Sequence, residues 1–367
     1  MQHKVLIVLP NDSLGGAEQV LKMIANYHLE KNDYINIFFL KKKSTNSWND
    51  IAKYKNASLS FGNFNIEYLG LINLLFFVSK SSRFDRLYTS QVLISGFLGF
   101  VIKLKLLKVR FFIARESTSI FKRFTGFKLF IYNFFYFIGY SKIDLLICQT
   151  EFMKECLRKN LPFLFSKINI ETIPNPINIE DIKQKEKDKI EDSIVNEFIV
   201  SAGRLITEKG FDVLINAFKI ISKRDTGLKL IILGEGKERE NLQNLINKYN
   251  LQNSIILRGY VKNVYPYFNK AKVCVVPSRI EGFPNVLLQM MSQNTKVVST
   301  LCAGGIDDLD GVVTLPPNDS LLLSKSILEV LKSDTSKNKD KFRLELNKRS
   351  ITSFIKTIDE LLNEKVN

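Results

Sequence analysis

Long apolar runs are missing from this 367-residue sequence. The first, Val5–Leu9, is too short for the core of a signal peptide. Gln91–Ile102 and Leu129–Tyr140 fall short of the roughly 20 residues that a helix needs to cross a bilayer. No transmembrane helix is therefore expected. Cysteine is scarce as well: Cys148, Cys156, Cys274 and Cys302 show no metal-ligand spacing, and Cys148 and Cys274 lie inside apolar runs as small buried hydrophobes. Nothing calls for an oxidising compartment, so the expected setting is a reducing cytoplasm. Histidine is reduced to His3 and His28. There is no internal repeat and no low-complexity tract.

What is plentiful is positive charge, and it is unevenly spread. Residues 1–178 carry 24 Lys and Arg against 12 Asp and Glu, a net +12 of the total +16. A basic half of this kind favours a negative surface. No zinc-finger spacing, RNP-like run or basic helix accompanies the charge, which makes nucleic acid the weaker partner. The same half contains a dense aromatic stripe mixed with cations, Phe121–Tyr140. Such a segment can lie on anionic lipid, or it can be a helix packed in the core with its cations on the rim. The charge distribution favours an anionic membrane surface.

The length suggests two domains, and apolar runs alternate with helical patterns in both halves. Residues 178–196, rich in Lys, Glu and Asp without a sustained helical stripe, read as a linker between domains 1–178 and 179–367. Residues 60–150 read as less regular, and a closing helix is expected over about 340–364.

Two stretches of the second half carry chemistry. Ser278–Met290 follows the buried-strand run Ala271–Pro277 and turns on Gly282, with Phe283 held extended by Pro284. Pro284 suits the start of a helix, so the amides of Asn285, Val286 and Leu287 are expected to point back toward the strand end as an anion cradle. Glu281 beside that cradle suits a sugar phosphate, its carboxylate accepting hydroxyl hydrogen bonds; the plainer reading is a strand-loop-helix unit with a solvated Glu. Upstream, Ser201–Phe218 follows the run Phe198–Val200 and places Arg204 and Lys209 in a loop opening a helix near Gly210. Two cations there suit a diphosphate, which Arg can grip by two oxygens.

Together these stretches resemble the donor-site signatures of glycosyltransferase family 4, retaining enzymes of the GT-B fold. The family pattern is a Glu, seven residues and a second Glu, usually within EGFPNVLLEA; this chain has Glu281, with Gln289 at the second position. Ser201–Gly210 matches the family's SxGRLxxEKG run, and the resemblance covers most of residues 197–306. It implies two Rossmann-like α/β domains facing across a cleft, an N-terminal one for the acceptor and a C-terminal one for the nucleotide sugar. The final helix would pack back on the first domain.

The implied reaction is retaining transfer of a sugar from a nucleotide diphosphate sugar, a UDP-sugar favoured, with neither a bound metal nor a cofactor. Arg204, Lys209 and Glu281 would be catalytic. The cations would stabilise the leaving diphosphate, and the carboxylate would orient the sugar. Gly282, Phe283, Pro284, Asn285, Val286 and Leu287 would line the donor, and Gln289 would meet the ribose. Gly259, Tyr260 and Val261 would lie along the base. Gly15 and Gly16, in a GGAE run similar to the family's N-terminal glycine loop, would approach diphosphate and acceptor. Arg115 and Glu116, past the Phe111–Ala114 strand, would stand where the family often has a His, or would form a surface pair. Asp308-Leu-Asp310 imitates a metal-binding DxD but reads as a solvated turn. The basic half suits a lipid-linked saccharide acceptor, as in bacterial surface polysaccharide synthesis, with the protein peripheral on the inner face of the membrane. Two rivals remain: another GT-B enzyme such as a sugar-nucleotide epimerase, and a degenerate non-catalytic scaffold, for which Gln289 speaks.

Overall fold

The computed structural model describes residues 2–44, 46–118, 120–190, 197–225 and 227–364. It divides into two compact units, Met1–Pro176 with Ile351–Asn367, and Ile177–Ser350.

In unit 1, strands β1 (Lys4–Asn11), β2 (Tyr34–Lys41), β3 (Ala57–Phe61), β4 (Phe84–Thr89), β5 (Val109–Glu116), β6 (Leu145–Cys148) and β7 (Asn169–Thr172) form one parallel sheet. Their order is β3-β2-β1-β4-β5-β6-β7. Helices α1 (Gly16–Glu30), α2 (Glu67–Ser79), α3 (Val92–Lys103), α4 (Ile120–Arg123), α5 (Gly126–Gly139), α6 (Glu151–Asn160) and α7 (Pro162–Phe165) connect the strands. The strands are near-continuous apolar runs because helices cover both faces of the sheet. Leu6, Val8, Phe112 and Leu146 belong to the core on one face; Val5, Ile7, Ile113 and Ile147, one residue out of phase, belong to the other.

Unit 2 begins with α8 (Ile179–Lys185). Its sheet contains β8 (Phe198–Ala202), β9 (Lys229–Leu233), β10 (Ile255–Gly259), β11 (Val273–Val276), β12 (Val297–Thr300) and β13 (Val313–Leu315). All pairings are again parallel, in the order β10-β9-β8-β11-β12-β13. Helices α9 (Phe211–Ile221), α10 (Arg239–Lys248), α11 (Tyr265–Lys270), α12 (Asn285–Met291), α13 (Ser320–Lys332) and α14 (Asn338–Lys348) follow, and α15 (Ile351–Asn363) belongs to unit 1. Strand order reverses between β1 and β4 in unit 1 and between β8 and β11 in unit 2. In open α/β sheets such reversals are where loops part and ligands bind.

Several expectations need correction. Residues 179–185 are helical rather than linker: Asn178 caps α8 by accepting from the Asp181 amide, and Ile182 is buried in the unit 2 core. Part of that expected linker, 191–196, lies outside the described residues. The region 60–150 is regular, with two helices of a dozen or more residues before β5 and another after it. The single helix expected over 340–364 is two, because Arg349 and Ser350 turn their backbone to Ile177 instead: the Ile177 amide donates to the Arg349 carbonyl at 2.8 Å, and Ile177 and Ser350 form a parallel bridge. After that break α15 buries Phe354, Ile355, Ile358 and Leu362 in the unit 1 core and pairs Asp359 with Arg86.

The aromatic segment is divided between the two readings: one side packs on the unit 1 core through Tyr136 and Tyr140, with Leu129, Tyr132 and Phe135 against it, and the other faces outward. Helix α5 buries Tyr136 and Gly139 and seats itself against α3 through glycines, where a Cβ on Gly139 would collide with the Gly96 carbonyl. Phe127, Phe130, Phe134 and Phe137, at spacings that share one helix face, are 51–77% exposed. On α2, Tyr68, Ile72 and Phe76 are exposed as well. Among the described residues no helix is long and apolar enough to cross a membrane.

Candidate active site

The loops that leave β8 and β11 flank the strand-order reversal of unit 2, and each brings part of one charged cluster. After β8 the chain extends through Gly203, exposes Arg204 and anchors itself on buried Leu205, whose amide donates to the Glu235 carbonyl at 2.9 Å. A single 3₁₀ turn, Thr207–Lys209, leads into Gly210, which takes a left-handed conformation (φ 65°) as the cap of α9. A side chain at Gly210 would also run into the Pro277 carbonyl, so glycine permits the close approach of the two loops.

That approach brings Lys209 to Glu281. The Lys209 ammonium lies 2.8 Å from both carboxylate oxygens, and the Ser278 hydroxyl donates to Glu281 Oε1 at 2.6 Å. The Glu281 amide is fixed as well, donating to the Cys302 carbonyl at 2.8 Å. Cys302 itself is inert, since burial and then the Glu281 charge push its thiol up to about 12. Arg204 differs from Lys209: its guanidinium is exposed and has no hydrogen bond or ion pair among the described residues.

A residue that sequence reading passed over locks the two loops together. Arg279 donates bidentately to Asp212 on α9 at 2.8 and 2.6 Å, to the Thr207 carbonyl at 2.6 Å and to Asn318 Oδ1 at 2.7 Å. Its own amide donates to the Glu208 carbonyl at 2.7 Å. Burial alone would raise the Asp212 carboxyl, but the hydrogen bonds and charge of Arg279 carry it below the ordinary range. The only signal for this role in the sequence is an Arg inside the Ser278–Glu281 turn, where its partners cannot be foreseen.

The start of α12 departs from expectation at one amide. Pro284 is the cap rather than the first helical residue, and the Leu287 amide donates to its carbonyl at 2.8 Å. Leu287 is thus occupied within the helix and its side chain is fully buried. Phe283 is buried in the unit 2 core, so Gly282 and Phe283 can meet a ligand through backbone alone. Gln289 lies in the second turn and donates from Nε2 to the Tyr265 hydroxyl at 3.3 Å. Tyr265, which burial and then Asp181 push further up from its ordinary value, is a second partner missed in the sequence. At the end of β10, Gly259 (φ 85°) accepts from the Gly234 amide at 2.7 Å, Tyr260 projects outward with 74% exposure, and Val261 packs partly against the core.

In unit 1 the predicted residues behave differently. Gly15 caps α1 and Gly16 is its first residue, at the end of the loop leaving β1. Arg115 and Glu116 are neither past the strand nor a surface pair. Strand β5 continues through both, paired with Ile147 and Cys148 of β6, and the pleat sends the two side chains to opposite faces. Each is 2% exposed. Arg115 donates to Asn175 Oδ1 at 2.5 Å, and burial lowers it to about 10. Glu116 accepts from the Tyr140 hydroxyl at 2.9 Å, and burial raises it to about 7. Among the described residues no group of His, Cys, Asp and Glu could hold a metal ion, and Asp308 and Asp310 are exposed on either side of buried Leu309.

Comparison with known proteins agrees with this architecture. The family described as glycosyl transferases group 1 matches residues 196–333. An uncharacterized glycosyltransferase of Methanocaldococcus jannaschii is 34% identical over 183 residues, 48% of this chain and 44% of that protein. The N-acetylgalactosamine-N,N'-diacetylbacillosaminyl-diphospho-undecaprenol 4-alpha-N-acetylgalactosaminyltransferase of Campylobacter jejuni is 35% identical over 172 residues, 47% of this chain and 45% of that protein. The chain spans about half the length of these curated relatives. In fold, the likeness is to the whole chain: Anabaena HepE, solved in complex with UDP and glucose, has a TM-score of 0.78 at 16% identity and covers 99% of this chain and 100% of its own. Two Rossmann-like units with parallel sheets make this a GT-B fold.

Proposed function

Because residues 196–333 are a domain of the glycosyl transferases group 1 family, we propose that this protein transfers a sugar, with retention, from a UDP-sugar to a lipid-linked saccharide acceptor. The observation that carries the reading is the meeting of Lys209 with Glu281 at the strand-order reversal of unit 2, with Arg204 exposed on the loop that carries Lys209. A departing diphosphate needs cations within reach, and stabilising its charge is usually the largest catalytic contribution. Arg204 and Lys209 take that role. Glu281, set by Ser278 and the Cys302 carbonyl, holds sugar hydroxyls and orients the anomeric carbon toward the acceptor hydroxyl. Gln289 accepts from the ribose, and the outward ring of Tyr260 lies along the base.

Unit 1 supplies the acceptor and the membrane. The undecaprenol-linked substrate in the name of the Campylobacter jejuni relative supports a lipid-linked acceptor. Cations accompany the same segment: Lys122 of α4 lies 4.1 Å from the centre of the Phe152 ring on α6, and Lys128, on α5 itself, lies 4.3 Å from that of Phe124. An aromatic face rimmed by cations suits the boundary between acyl chains and anionic headgroups. In this reading the protein is peripheral on the inner face of the cell membrane and needs no metal. The test is a melting-temperature panel of sugar nucleotides, followed by transfer assays with the one that stabilises most. A chain stabilised by none of them does not bind a nucleotide sugar.

A further inference from the structure

Arg204 and Lys209 are not equivalent cations. The Arg204 guanidinium has no partner among the described residues, whereas the Lys209 ammonium is already held by both oxygens of Glu281. The two side chains of that pair are mostly buried, 17% and 14% exposed, so neither charge returns to bulk water when the pair opens. A diphosphate that takes Lys209 therefore strands a carboxylate. Glu281 would keep only the Ser278 hydroxyl and would face an incoming anion, and a half-desolvated charge that loses its partner is unfavourable. A sugar on the diphosphate alters the balance. Its hydroxyls donate to the oxygens that Lys209 has left, so the intact donor satisfies both members of the pair.

We infer that the Lys209–Glu281 pair discriminates the intact nucleotide sugar from the nucleoside diphosphate left after transfer. It opens for a ligand that brings both a diphosphate and hydroxyls, and it closes again once the sugar has gone, which expels the product. The inference rests on the proposed roles of Lys209 toward the diphosphate and Glu281 toward the sugar. It adds that Glu281 opposes the binding of UDP alone.

Titration calorimetry with UDP on the full chain tests this. Glu281→Gln keeps an oxygen for Ser278 and removes the charge that holds Lys209. It should tighten UDP by about three- to tenfold, and Glu281→Ala should do the same. In a Lys209→Met background the Glu281→Gln change should give a clearly smaller gain, because only the repulsion of the anion and no pair is left to remove. Unchanged or weaker UDP binding in both Glu281 variants overturns the inference. So does an equal gain with and without Lys209, which would mean a general repulsion by Glu281. If UDP binds neither the wild type nor any variant, the nucleotide-sugar reading fails and the inference with it.

Discussion

At the carboxyl end of the unit 1 sheet, Arg115 and Glu116 lie on the strand itself, 2% exposed, each hydrogen-bonded to a neutral partner of its own, although Arg115 Nε is buried without one among the described residues. At the carboxyl end of the unit 2 sheet, Lys209 and Glu281 come from two loops and reach each other across the strand-order reversal, with Arg204 exposed on the first of those loops. Both sets were read from the sequence as charges just past a parallel strand. The difference is where the strand stops. A charge inside the ladder is turned by the pleat into a helix-covered face, where it is part of the core. A charge carried beyond the ladder on a glycine-hinged loop stays within reach of a ligand. A charge at a strand end therefore stays accessible only where the backbone has left the sheet.

The comparison breaks most visibly through Arg204. Arg204→Ala should lower turnover by about 100- to 1000-fold at saturating donor, by analogy with the loss of one preorganised donor to a developing anion, while leaving Tm nearly unchanged because the side chain is exposed and has no partner among the described residues. Near-wild-type turnover would place the diphosphate elsewhere.

Glu116 should answer in stability instead. Its carboxyl is raised from 4.5 to about 7 by burial, so the folded chain keeps a proton that the unfolded chain has lost over that interval. Stability from this group is complete below about 4.5 and declines as pH rises to about 7, by at most ~3 kcal/mol. Glu116→Gln should flatten that slope in urea unfolding between pH 5 and 7.5. An unchanged slope would mean that Glu116 is ionised in the fold and that the contrast with Glu281 is weaker than its burial implies.

A smaller effect separates the units by partner. Reversing Lys122 and Arg123 to Glu should weaken binding to anionic vesicles by about 1 kcal/mol per cation removed, with the remainder released by salt and UDP affinity untouched. Equal binding to neutral and anionic vesicles would leave the outward phenylalanines as the sole anchor, and no binding to either would remove the membrane from unit 1.

The smallest change is at Gln289. A charged acceptor exceeds a neutral one by on the order of 1 kcal/mol, so Gln289→Glu should lower the donor KM several-fold with kcat little altered. Tyr265, whose hydroxyl now accepts from Gln289, can donate to a carboxylate in that variant. If the wild type transfers nothing and Gln289→Glu does, the chain is a lapsed transferase.

The sequence by itself determined the elements and the loops on which the candidate chemistry lies. Apolar runs such as Val5–Leu9 and Val273–Val276 are buried parallel strands, and Gly210 ends one turn and starts the next, because periodicity, burial pattern and backbone freedom are properties of a few consecutive residues. Only the tertiary structure decided which of these residues meet. Lys209 and Glu281 are 72 residues apart, and their contact depends on β11 lying beside β8 rather than β9. The four side-chain bonds of Arg279, the separate partners of Arg115 and Glu116, and the use of Arg349 and Ser350 by Ile177 depend on neighbouring strands and on partners distant in the chain. Local pattern says that a strand is buried; it does not say beside which strand, and hydrogen-bond partners follow from the neighbour.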